Sequence, residues 1–315
     1  MNCFGVLEFR KEILCKRDVL DQCFISELAG YNVTYFVPAP SEAFDDKGFD
    51  ELLAPKGFGS FKKEWGHVYR RPEILAGVKC VGILADLDEA TISNVFSTVT
   101  EWKLKLEGIF TLMMHNLLVE QEPIIIEKTN DGGINTHTGL YLAMIKGKKI
   151  CEVHNPHSGP PIIMHFINEK CCLSFEQFKA GLAMASSEAP ISHTYILLLA
   201  AYNAFSKGDF RSSVVLGGSS VENCILQTIL RYVNTHGISI KLPIGELGKK
   251  FVKLKELGIS IPVENYKTSI LDIRNHVIHK GIEVSEKEAS TFLNNCRTMI
   301  EQYEPGIIGY DEKTE

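Results

Sequence analysis

Apolar positions recur with two different periods along this chain of 315 residues, and the change of period divides it. In the first part, short runs that alternate or are rich in β-branched residues occupy 3–9, 32–37, 78–84, 123–128, 140–145, 149–153 and 162–167, with turn-rich pieces between them. Such runs predict strands. The clearest hairpin joins 140–145 to 149–153 through Lys146, Gly147 and Lys148. Two helices interrupt this pattern, one at 92–106 with Val95, Val99, Trp102 and Leu106 as its buried side, and one at 174–186. From residue 191 onward the spacing becomes three and four, which is the period of an amphipathic helix. An apolar helix is predicted over 191–206, and a second from the N-cap Asp209 to about residue 234. A third covers 245–257, a fourth follows Pro262, and a fifth starts at Ser285 with Glu288 completing a capping box. The fold class read from this is α+β: a β-rich, sandwich-like domain over 1–188, an all-α bundle over 189–305 and a tail over 306–315. The loop 187–190 is the boundary.

The fourth helix carries the densest chemistry. In VENYKTSILDIRNHVIHKG, residues 263–281, Val263, Tyr266, Ile270, Ile273 and Val277 form one apolar stripe, and Gly281 is the predicted stop. Arg274, Asn275, His276 and His279 crowd into less than two turns of the remaining surface. On an ideal helix Asn275 and His279 share a face, and Arg274 lies about 100° round from Asn275. An imidazole can move protons near neutral pH, and a guanidinium can hold a phosphate through two hydrogen bonds. A cationic helix end that offsets the negative pole of the macrodipole explains the same residues without any catalysis.

The run Arg274-Asn275-x-x-x-His279 resembles the R-x4-6-H motif, with Asn after the Arg, of the HEPN superfamily, here in its Apea-like form. The order of helices is similar too: the small-residue-rich second helix SSVVLGGSSVENCILQTILRYV carries an embedded acidic residue, Glu222. Active HEPN members are metal-independent endoribonucleases, so the resemblance, which covers about 191–304, implies a five-helix bundle that cuts RNA. It implies catalytic roles for Arg274, Asn275 and His279, support from His276 and from Glu222 on the neighbouring helix, no cofactor and no catalytic metal. It also implies a homodimer that pairs two motifs, and a toxin or antiphage effector triggered by a phage or cellular partner through the first domain. Inactive HEPN-like modules that bind RNA or protein are the alternative. A third reading makes the first domain the enzyme, for instance on carbohydrate, with the bundle as its dimerisation device.

Composition narrows the classes. The formal charge of −6 speaks against a protein that coats nucleic acid, yet 190–282 holds eleven Lys and Arg against six Asp and Glu. Lys249, Lys250, Lys253, Lys267 and Lys280 are the RNA-binding candidates in that region, with a solvated helix face as the plain explanation for the group around Lys249. No apolar run reaches the ~18 residues of a membrane span, and 2–10 lacks the basic start and apolar stretch of a signal peptide. Nine cysteines without regular spacing fit reduced thiols, so a cytoplasmic location is expected.

Other constellations are weaker. Cys151, His154, His157 and His165 lack the paired spacing of a zinc site, and strand ends or loops account for them. Asp86 and Asp88 form a DxD without a nucleotidyltransferase signature before it. Gly217-Gly218 fits neither a Walker loop nor a dinucleotide fingerprint and is read as close helix packing.

Overall fold

The computed structural model describes residues 2–28, 30–40, 50–59, 64–70, 74–86, 89–114, 123–124, 143–146, 149–152, 164–165, 172–243 and 245–307. Its first part is an antiparallel sheet built on one long strand. The strands are β1 (Asn2–Lys16), β2 (Cys23–Leu28), β3 (Tyr31–Phe36), β4 (Ala39–Pro40), β5 (Asp50–Leu53), β6 (Gly66–Arg70) and β7 (Leu75–Asp86). β7 pairs with β1 along one edge, while its other edge is shared by β3, opposite 82–85, and β6, opposite 75–78. The order from β2 is β2-β3-β7-β6-β5-β4. Two small ladders, β8 (Pro123–Ile124) with β11 (Met164–His165) and β9 (Ala143–Lys146) with β10 (Lys149–Glu152), are antiparallel; the second is the expected hairpin. The rest of the runs 123–128, 140–145 and 162–167, with His154, His157 and Asp88, lies outside the described residues.

The sandwich-like expectation needs correction. Among the described residues one face of the sheet is covered by helices, α1 (Glu89–Met113) and α2 (Phe175–Ser186), and no second sheet packs on it. Helix α1 runs seven residues beyond the predicted end and brings Ile109, Phe110 and Met113 into the core beside Trp102 and Leu106. Phe110 stacks near Phe178 of α2 and edge-on to Phe9 of β1, so the helix pair does what the second sheet of a sandwich would do. Strand β1 is irregular: its register jumps from Glu8 opposite Cys80 to Ile13 opposite Val78. This bulge is pinned from α1, where the buried Glu107 accepts from both the Arg10 backbone N–H and the Arg10 guanidinium.

The second part is helical. Its elements are α3 (His193–Ser206), α4 (Phe210–His236), α5 (Leu247–Glu256), α6 (Ile273–Lys280) and α7 (Glu286–Tyr303). Local signals set their ends as expected. Asp209 accepts from Ser212 N–H at 3.0 Å, Ser285 and Glu288 form the capping box, and Gly237 and Gly281 stop α4 and α6 in the left-handed conformation. These helices share their own core, centred on Leu198, Ile225, Phe251, Ile270, Phe292 and Ile300. The loop 187–190 leads from α2 into α3; Lys105 of α1 donates to the carbonyls of Ser187 and Ala189 within it, and Leu112 of α1 is buried in the helical core. No helix among the described residues is long and apolar enough to cross a membrane.

Candidate active site

The site is assembled where α6 crosses α4. One turn of π-helix, Lys267–Asp272, precedes α6, so the stretch predicted as a single helix has a widened turn just before Arg274. Tyr266, Ile270 and Val277 are buried and Ile273 is half-buried, as the apolar stripe requires; Val263 is also buried but sits before the helix begins.

The stripe turns Arg274 toward α4, and the glycines there admit it. A β-carbon on Gly218 would lie 2.7 Å from Arg274 Cγ, far inside van der Waals contact. One on Gly217 would lie 2.8 Å from Leu293 Cδ2, so this glycine serves the packing of α7. Both are close-packing glycines, and Gly218 makes room for a functional candidate.

Glu222, one turn further along α4, receives the guanidinium: Arg274 Nη2 donates to Glu222 Oε2 at 3.0 Å. The other carboxylate oxygen accepts from Lys250 Nζ of α5 at 2.7 Å, and the same ammonium donates to the Gly245 carbonyl at 2.5 Å. Arg274 Nη1 lies 3.4 Å from Asn275 Oδ1, and Arg274 Nε is buried without an acceptor among the described residues. The side chains of Arg274 and Lys250 are only 16% and 5% exposed, so this charge network is a partly desolvated one in which each member depends on the others.

Not every predicted residue joins this cluster. His276 and His279 are exposed on α6, and the hydrogen bonds that tie the network run among Arg274, Glu222, Asn275 and Lys250. Lys249 is exposed and reaches Glu246 at 3.4 Å; Lys253 pairs with Glu256 at 2.6 Å; Lys267 and Lys280 are exposed. Lys250 needs correction: an ammonium buried against Glu222 is not presented to an incoming RNA, so its place is in the network that holds Arg274. The sequence held a signal for this. Leu247, Phe251 and Leu254 are the buried stripe of α5, and Lys250 falls within it at i+3 from the first and i−4 from the last.

Chemically, the site offers a guanidinium clamped by a carboxylate and an amide, with two solvent-facing imidazoles on the same short helix. Among the described residues, the one group of three side chains spaced to hold a metal ion is elsewhere, in the sheet. Compared with protein-family models, with characterised proteins and with solved structures, the chain matches none of them.

Proposed function

We propose that the protein is a metal-independent endoribonuclease of the HEPN type, in which residues 189–305 cut RNA and residues 1–188 sense a trigger or position the substrate. The observation that carries this reading is the Arg274 guanidinium, fixed by Glu222 five residues before an exposed His279. His279 takes the proton from a ribose 2′-hydroxyl, and the freed oxygen attacks the adjacent phosphorus. The bond to the 5′-oxygen breaks, that oxygen takes up a proton, and a 2′,3′-cyclic phosphate remains. Arg274 offsets the charge that grows on the phosphorus-bound oxygens, and Asn275 orients the phosphate. The attacking group belongs to the substrate, which restricts the reaction to RNA. A two-fold homodimer would place two motifs side by side, and the exposed apolar Ile278 and Ile282 next to His279 suit such a contact. A toxin or an antiphage effector is the setting in which such a nuclease fits.

A second reading has its own observation. Arg274 is mostly buried and its two terminal nitrogens are engaged with Glu222 and Asn275, as in a structural ion pair, which favours an inactive HEPN-like module that binds RNA or protein. One incubation separates the two. With total RNA and EDTA, the nuclease produces fragments ending in 2′,3′-cyclic phosphate and leaves DNA of the same sequence intact. Intact RNA, or cleavage that appears only when magnesium is added, rejects the proposed mechanism.

A further inference from the structure

A cluster of metal-ligating side chains lies on the sheet, away from the residues assigned above. Glu12 of β1, Glu64 just before β6 and His67 of β6 bring one donor atom each within 4.8 Å of one another, and His67 Nδ1 is 2.7 Å from Glu12 Oε1. Donor atoms around a tetrahedral ion with bonds of about 2.1 Å lie about 3.4 Å apart, so small side-chain rotations close this group on a cation.

The backbone is shaped to make the group. His67 stands opposite Gly77 of β7, and Gly77 stands opposite Leu14 of β1, so these three form one row on one face of the sheet. Glu12 lies in the bulge of β1 two residues before Leu14, and its carboxylate reaches across to His67. Glu64 and His67 are three apart and on a regular strand would face opposite sides. Gly66 breaks the alternation with a φ of 133°, in the region that favours glycine. A β-carbon there would fall 2.0 Å from the Gly77 carbonyl oxygen, so no other residue permits this path. Trp65, fully buried between them, anchors the turn, and its carbonyl accepts from Lys79 and Cys80 N–H at 2.9 and 3.3 Å. Glu12 is held in turn by the bulge that Glu107 pins through Arg10. Three strand segments, a bulge and an obligatory glycine therefore converge on one imidazole and two carboxylates.

We propose that Glu12, Glu64 and His67 bind a divalent first-row transition metal. One nitrogen and two carboxylate donors suit such an ion better than magnesium, and two negative charges match its charge. With three protein ligands, further coordination positions stay open to water or to a ligand. Metal on this site would lock β1 to β6 across β7.

The test uses the full chain, dialysed against chelator, with Mn2+ as the probe, because manganese avoids the nine cysteines that would compete for zinc. Electron paramagnetic resonance should show one Mn2+ bound per chain at sub-millimolar concentration, with a pulsed signal from a coordinating 14N nucleus. In His67→Gln the nitrogen coupling should vanish. In Glu64→Gln, a change at an exposed position, affinity should fall at least ~10-fold, while Glu101→Gln, exposed on α1, should leave it unchanged. No bound manganese, nitrogen coupling that persists in His67→Gln, or unchanged affinity in Glu64→Gln would overturn the assignment.

Discussion

Gly218 and Arg274 compete for one volume: the β-carbon that any other residue would place on α4 falls 2.7 Å from the Arg274 Cγ of α6. The Cγ is near the root of the side chain, so a larger residue at 218 must push the whole guanidinium off Glu222. Gly218→Ala gains about 0.5–1 kcal/mol of helix propensity and loses about 1–3 kcal/mol to overpacking. The expected outcome is a small drop in melting temperature with a large drop in RNA cleavage. A variant that cleaves as fast as the wild type would show that the position of Arg274 does not matter.

Glu222 is the shared acceptor of two cations, so its removal should hurt more than removal of either partner. Glu222→Ala strands Lys250 in the interior and leaves Arg274 without its clamp. Breaking a buried pair costs about 3–5 kcal/mol, and the lower end applies because the Glu222 side chain is 24% exposed. Lys250→Met removes the buried ammonium but leaves the Arg274 contact in place. Denaturant titration of the three proteins should therefore rank them wild type, Lys250→Met, Glu222→Ala in decreasing stability.

The capping box of α7 gives a pH signature. The hydrogen bonds from the Ser285 hydroxyl and then from its backbone N–H hold the Glu288 carboxyl below its ordinary value of 4.5. A depressed carboxyl stabilises the folded chain above the ordinary value, and the contribution is lost as pH falls through the folded one. The melting-temperature gap between wild type and Glu288→Gln should thus be constant near neutrality and shrink below about pH 4.5. A gap that widens on acidification would contradict the assignment.

The apolar pair beside the motif tests assembly. Ile278→Glu and Ile282→Glu together should convert a dimer to a monomer in light scattering and reduce cleavage at low protein concentration, while leaving the melting curve of each chain nearly unchanged, because both residues are exposed. A wild-type protein that is a fully active monomer would remove the dimer from the account.

Much of this fold was legible because its signals are local. Asp209, the Ser285 and Glu288 pair and Gly281 mark helix ends within a few residues of themselves. Features that depend on distant partners were not. Strand β1 was read as ending at residue 9 because Arg10, Lys11 and Glu12 break its alternation, and only the register against β7 shows it continuing through a bulge to Lys16. β5 and β6 are short, and Gly66 disrupts the second, so neither gave a period-two run. The π-turn left no trace, since Ile270 and Val277 fit an ordinary helical stripe equally well. Lys250 was placed with exposed lysines because its acceptor, Glu222, is 28 residues away in sequence. Of the candidates read from the sequence, Arg274, Asn275 and Glu222 lie together, and the structure adds which carboxylate oxygen faces which cation.

Burial also separates the two motif residues in a way their spacing does not. Arg274 belongs to a desolvated ion network, so Arg274→Ala must lower both stability and rate, and its effect on cleavage alone is ambiguous. His279 is exposed at the end of α6 and is free of that confusion. The most direct measurement is the single-turnover cleavage rate of His279→Ala in EDTA, with a melting curve on the same preparation. The nuclease account predicts a melting temperature equal to wild type and a rate reduced by at least ~10². A variant with the wild-type melting curve that still cuts RNA at the wild-type rate would contradict it.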